Sequence, residues 1–289
     1  MTEGSFCIKM LISEEVFCWI ESCWGVGAIP YNDPVWEILA EQALQEKTSI
    51  LSENPTCPFC VRLVGQSGAG KTSQLLPAVK EALVTNGIPF VSFAVRDFVK
   101  YHPDLEKIVQ NYGESLLREK TNMFALTLLT EVLLRCISKK MPILLEVTLL
   151  APVYEACIHA FLIKNGYHCD YQCLAVPKSV SDAWIQKRFL ETKRVVSQNS
   201  SSFFYDTLEP AFKALQGIAL KNRVFIWDRV HEMPSISDFQ DPKLYDKIED
   251  ARRLEGPFLS PEAGVASKTA FLCDFYRKHS QFNFFVFRH

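Results

Sequence analysis

A glycine-rich stretch at residues 65–72 has the residue types and spacing of a phosphate-binding loop. It reads Gly-Gln-Ser-Gly-Ala-Gly-Lys-Thr and fits the pattern G-x-x-x-x-G-K-[ST] at every fixed position. The glycines allow backbone N–H groups to approach phosphate oxygens closely. In such a loop the lysine, here Lys71, contacts the β- and γ-phosphates, and the hydroxyl of Thr72 ligates Mg²⁺. The stretch therefore predicts nucleotide binding, but by itself it does not say what is done with the nucleotide.

The segments on either side of the loop favour this interpretation over a glycine-rich turn that binds nothing. Phe59–Val64 is a short apolar run typical of a strand, and residues 73–86 have helical spacing, with Leu75, Val79 and Leu83 on one face. A strand before the loop and a helix after it are the context that a phosphate loop requires, because the helix N-terminus adds a positive partial charge.

The central sequence alternates apolar runs with longer amphipathic segments. Near-continuous apolar strands separated by helices indicate an α/β fold in which helices cover both faces of a parallel sheet. The predicted strands are Phe59–Val64, Phe90–Val95, Ile143–Val147, Cys169–Val176 and Arg223–Trp227, and the predicted helices cover about residues 73–86, 104–139, 152–165 and 179–219. Breaks are expected near Gly113 and Thr121, and an interruption is expected around Asn199–Ser202. Because ligands bind at the carboxyl ends of such strands, the glycine loop, Arg96-Asp97 and Thr148 are expected to meet there.

Residues 1–54 differ in character and predict a small helical extension before a domain at 55–289. Two helices are expected, and the second begins at Asp33-Pro34 and carries an apolar face formed by Trp36, Leu39, Ala40 and Ala43. Such short helices cannot bury their aromatic residues between themselves, so these faces should pack on the main domain or on a partner. At the other end, residues 260–278 predict a helix, and Phe282–Phe287 is interpreted as a strand or a docked tail.

Composition excludes several other classes of protein. The chain has 289 residues, 48% of them hydrophobic, which is enough for a sizeable core. Its formal net charge is -2 and its pI about 6.3, so no nucleic-acid partner held by bulk charge is expected.

The sequence contains no apolar stretch long enough to span a bilayer and no secretory signal, which favours a cytoplasmic protein without membrane association. The ten cysteines are scattered, and the pairs Cys57/Cys60 and Cys169/Cys173 lack the further partners of a zinc site.

Four charged side chains outside the loop are candidates for phosphoryl-transfer chemistry. Asp97 comes just after the second strand and is either a general base or the N-cap of a helical turn that begins there. Glu146 lies inside an apolar strand, where a carboxylate is costly unless it is paired or functional. Periodicity alone places Glu131 on an exposed helix face, and it places Arg188 on a solvated face or in a pair with Glu191.

The order of these pieces resembles the zeta toxins, a family of bacterial P-loop kinases that phosphorylate UDP-N-acetylglucosamine. The resemblance covers about residues 55–232, and Gly65–Ser73 is similar to the family's G-Q-P-G-x-G-K-T-S. Four further segments match in order and spacing: Asp97–Pro103, Leu145–Thr148, Ala175–Lys178 followed by Arg188, and Phe225–Arg229. The expected fold is therefore a P-loop kinase-like parallel sheet with helices on both faces, plus the small helical N-terminal extension.

The resemblance implies roles for the candidate residues. ATP would be bound by Gly65, Gln66, Ser67, Gly68, Ala69, Gly70, Lys71, Thr72 and Ser73, with Thr72 also on Mg²⁺. Glu131, Glu146 and Thr148 would hold the UDP-sugar. The catalytic candidates are Lys71, which would hold the phosphates, Arg188, which would neutralise the γ-phosphate, and Asp97, which would deprotonate the 3′-hydroxyl. The product, UDP-N-acetylglucosamine 3′-phosphate, would poison cell-wall precursor synthesis.

Departures from the family pattern fall in the acceptor half of the site. Counted back from His102-Pro103, the family's catalytic aspartate falls on Arg96, one place before Asp97. The family's I-E-G-T-x-R pattern corresponds here to residues 145–150, which lack the glycine and the arginine. A second arginine of the family has no clear match, and only Lys193 or Arg194 could replace it. The alternatives are therefore a P-loop kinase for another sugar nucleotide or metabolite, or an ATP-binding regulatory protein without turnover.

Regulation is a further expectation from the family. Zeta toxins are blocked by a separate antitoxin at the nucleotide site, so an antitoxin is one expected partner. The aromatic-rich helices of residues 1–54 are the other candidate, an inhibitor in cis, because their apolar faces need a surface to cover.

Overall fold

A computed structural model of the chain describes residues 33–49, 58–147, 152–192, 202, 205–216 and 222–284. The first predicted N-terminal helix, Thr148, Leu150, Lys193 and Arg194 lie outside these residues. The strands are β1 (Phe59–Val64), β2 (Val91–Ala94), β3 (Ile143–Glu146), β4 (His168–Leu174), β5 (Arg223–Trp227) and β6 (Ser235–Asp238). The helices are α1 (Val35–Thr48), α2 (Leu76–Thr85), α3 (Leu105–Ser138), α4 (Pro152–Lys164), α5 (Lys178–Thr192), α6 (Leu208–Gln216), α7 (Leu244–Arg253) and α8 (Pro261–Phe284).

The strands form one sheet in the order β2-β3-β1-β4-β5-β6. The first five are parallel, and β6 pairs antiparallel with β5. The predicted parallel sheet is thus confirmed, with an antiparallel edge strand that the sequence did not predict. Residues 235–238 are largely exposed, so they lack the apolar run that marks a buried strand.

Helices cover both faces of the sheet, as predicted. On one face α2 and α8 pack against Val61 and Leu63 of β1. On the other, α1, α3, α4, α6 and α7 enclose a second core that includes Cys60 and Val64. Arg62 also points to this second side, where its guanidinium forms a buried ion pair with Glu155 of α4; each side chain is 1% exposed. The alternation along β1 follows from the two-residue period of a strand.

The apolar face of α1 packs on the main domain rather than awaiting a partner. Trp36 stacks on Phe124 of α3 with ring centroids 5.1 Å apart, and Ala40 and Ala43 are fully buried. A hydrogen bond of 2.9 Å from Arg135 to Glu37 lies beside this contact. Helix α1 is therefore part of the same core as the sheet.

Helix α3 is interrupted once rather than twice. Gly113 has φ 71° and ψ 165°, which confirms the predicted break, whereas the helix continues through Thr121. Among the described residues α3 is long and apolar enough to meet the length and composition of a membrane span, but 78% of its most apolar window is buried in the fold.

Near the C-terminus the prediction of a strand is wrong for residues 282–284, because α8 continues to Phe284.

Candidate active site

The glycine loop follows β1 and is pressed against the end of β4 and the start of α5. Gly65 and Gly68 have φ values of +141° and +79°. A Cβ at Gly65 would lie 2.4 Å from the carbonyl oxygen of Leu174, and one at Gly68 would lie 2.4 Å from that of Ser181. Only glycine fits these positions, because other residues would meet both backbone strain and a steric clash.

Polar side chains tie the loop to the connection between β4 and α5. Nε2 of Gln66 donates to the carbonyl of Val176 at 2.5 Å, and the Ser181 hydroxyl donates to the carbonyl of Ser67. The residue after the first glycine of the motif therefore fixes the shape of the loop. These contacts hold the loop backbone in a rigid cradle at the carboxyl edge of the sheet, where a phosphate group would be bound.

Lys71 lies at the centre of this cradle and is only 8% exposed. Its Nζ donates to the carbonyls of Gly65 and Gln66 at 2.5 and 2.9 Å. Burial lowers the pKa of Lys71 to about 8, and the positive charges of Arg118 and Arg188 act in the same direction while Glu146 opposes them. A desolvated ammonium group in this position is strongly suited to phosphate oxygens, which would replace the two carbonyls as acceptors.

Arginines from three different elements surround the loop. Burial lowers the pKa of Arg118 on α3, and the neighbouring charges of Arg188 and Arg96 lower it further. The pKa of Arg188 on α5 is lowered by burial and by Arg96, and Glu146 partly compensates both arginines. The predicted Arg188 is thus in the site, and Arg118 joins it, although sequence reasoning missed it. No local signal distinguishes Arg118 from its charged neighbours Glu119 and Lys120, because only the packing of α3 in the fold decides which of them faces the loop.

Glu146 stands between the loop and the second strand. It ends β3 and pairs in register with Leu63 of β1 and Ala94 of β2, which places it at the carboxyl edge of the sheet. The Thr72 hydroxyl donates to Oε1 of Glu146, and Nη2 of Arg96 lies 2.8 Å from Oε2. The buried carboxylate in an apolar strand is therefore paired, and both partners belong to the site.

Asp97 lies beside the site, but its carboxylate has other partners. Oδ2 accepts a hydrogen bond of 2.6 Å from Nζ of Lys47 on α1 and one of 3.2 Å from the backbone N–H of Ala94. The second contact caps the 3₁₀ turn Val95–Tyr101, but Ala94 is the N-cap and Asp97 is the third residue of the turn, so the predicted N-cap position of Asp97 is wrong. A role for Asp97 as general base stays a prediction.

Glu131 is buried rather than exposed, so the expectation from periodicity is wrong. It lies on α3 and is 4% exposed. Residues 124–134 of α3 are buried on every side, because the helix is covered by α1 as well as by the sheet. A helix buried all round carries no amphipathic pattern from which the position of one carboxylate could be deduced.

The oxygen ligands that a magnesium ion needs are present, but they are already bridged by a cation. Thr72 and Glu146 supply the hydroxyl and carboxylate chemistry that Mg²⁺ prefers. Arg96 donates to both of them, at 3.1 Å to Oγ1 of Thr72 and 2.8 Å to Oε2 of Glu146. In this arrangement the residues do not fit a magnesium ion. Elsewhere in the described part of the chain there is no group of three or more His, Cys, Asp or Glu that could hold a metal.

Comparison with known proteins agrees with this geometry. Residues 41–236 match the family described as Zeta toxin. The chain belongs to the zeta toxin family. The match begins within α1, which is consistent with the packing of that helix into the zeta toxin core. No curated protein matches the sequence significantly.

A solved structure supports the same fold. It comes from work on the PezAT chromosomal toxin–antitoxin system of Streptococcus pneumoniae and superposes with a TM-score of 0.64 at 19% sequence identity. The alignment covers 84% of this chain and 98% of that chain. The predicted P-loop kinase-like fold and the resemblance to zeta toxins are therefore confirmed.

Proposed function

We propose that this zeta toxin family member is a kinase that transfers the γ-phosphate of ATP to a hydroxyl group of a small molecule. The observation that carries the proposal is the buried Lys71 held in the glycine loop by the carbonyls of Gly65 and Gln66, with the charges of Arg118, Arg188 and Glu146 close enough to shift its pKa. Fully or partly buried cations in fixed positions stabilise the charge that develops on a transferring phosphoryl group, and here Lys71 is buried while Arg118 and Arg188 are partly buried. Family membership supports kinase activity in general.

The acceptor proposed is UDP-N-acetylglucosamine, phosphorylated at its 3′-hydroxyl in the cytoplasm, with loss of cell-wall precursors as the consequence. Lys71 and the loop amides would bind the phosphates of ATP, and Arg188 and Arg118 would neutralise the transferring group. Glu131, Glu146 and Thr148 would contact the sugar nucleotide. This assignment rests on the family pattern at these positions and on the location of Glu146 at the same edge of the sheet as the loop.

Two carboxylates are candidates for the general base. Asp97 matches the family's aspartate within one residue, but its charge is paired with Lys47. Glu146 contacts the loop residue Thr72 directly. Comparing Asp97→Asn with Glu146→Gln separates them: the base variant should lose transfer while retaining ATP binding, and a fully active Asp97→Asn variant would eliminate Asp97.

The proposal is tested by incubating the protein with ATP and a panel of UDP-sugars, with mass spectrometry of the products. We expect a mass increase of one phosphate on UDP-N-acetylglucosamine, and we expect Arg188→Ala and Arg118→Ala to lower the rate by about 100-fold or more, as for loss of other groups that stabilise transition-state charge. Arg253→Ala, which removes an exposed arginine on α7, is the matched control. Product from a different sugar would change the acceptor, and ATP binding without any product would favour the regulatory protein without turnover.

Regulation through the N-terminus is proposed as well. Lys47 of α1 bonds to Asp97, so the segment before the loop reaches a catalytic candidate. Because α1 belongs to the core, the informative truncation removes residues 1–32 and keeps α1. Higher kinase activity or toxicity of that truncation would support inhibition in cis. Unchanged activity would leave a separate antitoxin as the expected inhibitor, consistent with the toxin–antitoxin origin of the similar structure.

A further inference from the structure

Three side chains in front of the glycine loop form a closed hydrogen-bonded triangle. Nη1 of Arg96 donates to Oγ1 of Thr72 at 3.1 Å, and Nη2 donates to Oε2 of Glu146 at 2.8 Å. The third side is the hydrogen bond from the Thr72 hydroxyl to Oε1 of Glu146. In nucleotide-binding loops of this type the hydroxyl of the residue after the lysine normally ligates Mg²⁺. Arg96 therefore contacts the hydroxyl of Thr72, which would hold a divalent cation, and the carboxylate beside it.

We propose that the guanidinium of Arg96 is a built-in counter-cation that takes the place of the divalent metal, so that the site binds a nucleoside triphosphate without Mg²⁺. The inference rests on the proposed nucleotide site and goes beyond it, because it concerns which cation neutralises the phosphates. It also gives a physical role to the residue found where the family has its catalytic aspartate.

Arginine is chemically suited to this task. Its guanidinium remains charged at any pH the protein encounters, and its planar fork can bind two oxygen acceptors at once. Five N–H donors are available, of which the contacts with Thr72 and Glu146 use two, and Nε lies 3.9 Å from Oδ1 of Asp97. The side chain is 39% exposed, so the remaining donors can reach a phosphate on the open side of the loop.

The surrounding charges favour an arginine over a metal ion. Arg118 and Arg188 lie close enough to Arg96 for each to feel its positive charge, and Glu146 is the carboxylate that compensates them. A divalent cation added to three arginines and Lys71 would meet strong repulsion, whereas an anionic triphosphate is attracted to the same group. The backbone that carries Arg96 is held in place by the capping bond from Ala94 to Asp97.

The experiment measures the dissociation constant of a fluorescent, non-hydrolysable ATP analogue in EDTA and in excess MgCl₂. For the wild-type protein we expect the two constants to agree within about threefold. For Arg96→Ala we expect the affinity in EDTA to fall by about tenfold or more, the equivalent of one charge-assisted hydrogen bond, and Mg²⁺ to restore most of it. Arg96→Lys keeps the charge without the fork and should give an intermediate dependence on Mg²⁺.

Lys100→Ala is the matched control, since it removes a positive charge from the same 3₁₀ turn at a side chain that is 53% exposed and pairs with Glu46. Lys100→Ala should retain the wild-type ratio of the dissociation constants in EDTA and in MgCl₂. Melting curves check that each variant is folded. Strict dependence of wild-type binding on Mg²⁺, or an Arg96→Ala variant that behaves like the wild type, would overturn the inference and leave the proposed kinase in place. Absence of binding in both buffers would overturn the proposed nucleotide site and this inference together.

Discussion

The buried lysine of the glycine loop predicts an unusual pH dependence of nucleotide affinity. Lys71 binds phosphate as the ammonium form, and burial lowers its pKa to about 8 in the nucleotide-free protein. Because a bound triphosphate raises that pKa again, the affinity is greatest well below pH 8 and declines as the pH rises through about 8. Between pH 7 and pH 9 the protonated fraction of such a group falls from about ten-elevenths to about one-eleventh, so the dissociation constant should rise by about tenfold. A lysine with an ordinary pKa would change it hardly at all.

The assay is a titration with a non-hydrolysable ATP analogue at several pH values, with Lys80→Met on α2 as the matched control. Lys80→Met should reproduce the wild-type profile. A dissociation constant that is flat between pH 7 and pH 9 would refute the reasoning, because it would show that Lys71 stays fully protonated there.

Stability provides a second readout with the opposite sign. The folded pKa of Lys71 lies below its unfolded value of about 10.5, so the unfolded chain binds more protons between about pH 8 and 10.5. The contribution of Lys71 to the free energy of unfolding therefore rises with pH in this window, whereas affinity falls. Comparing wild type with Lys71→Met in urea isolates this contribution from that of other titrating groups. If affinity and this contribution fell together, alkaline loosening of the fold would be the better explanation.

Two further substitutions test the packing that positions the site. Glu155→Gln removes one half of the buried ion pair with Arg62 of β1 and should lower the free energy of unfolding in urea by about 3–5 kcal/mol. Its control is Glu209→Gln, in an exposed ion pair on α6, which should lower that free energy by less than about 1 kcal/mol. Equal effects of the two substitutions would contradict the assigned burial. Gly65→Ala should weaken nucleotide binding by at least about tenfold, because its Cβ would lie 2.4 Å from a backbone carbonyl. Its control is Gly166→Ala, where φ is also positive but nothing lies within 4 Å; full binding by Gly65→Ala would refute the cradle geometry.

The sheet could be predicted from the sequence because a buried parallel strand is a continuous apolar run. All five parallel strands were predicted, two of them, Phe59–Val64 and Arg223–Trp227, with the observed bounds. The exposed edge strand β6 and the charged helix α7 carry no such run. The place of β6 follows from its pairing with β5, and that of α7 from packing in the same core as β5; neither kind of contact has a local signature.

The part of the site proposed to bind ATP, the glycine loop, could also be predicted from local sequence. A phosphate loop is a short backbone structure, and its geometry requires glycines, a lysine and a threonine at set positions. The other half was decided by tertiary structure. Arg118 lies within the long helix α3. Arg96 contacts Thr72 and Glu146 only because β1, β2 and β3 end at the same edge of the sheet. Which charges face a site depends on the packing of distant segments, and packing of that kind leaves no trace in the spacing of neighbouring residues.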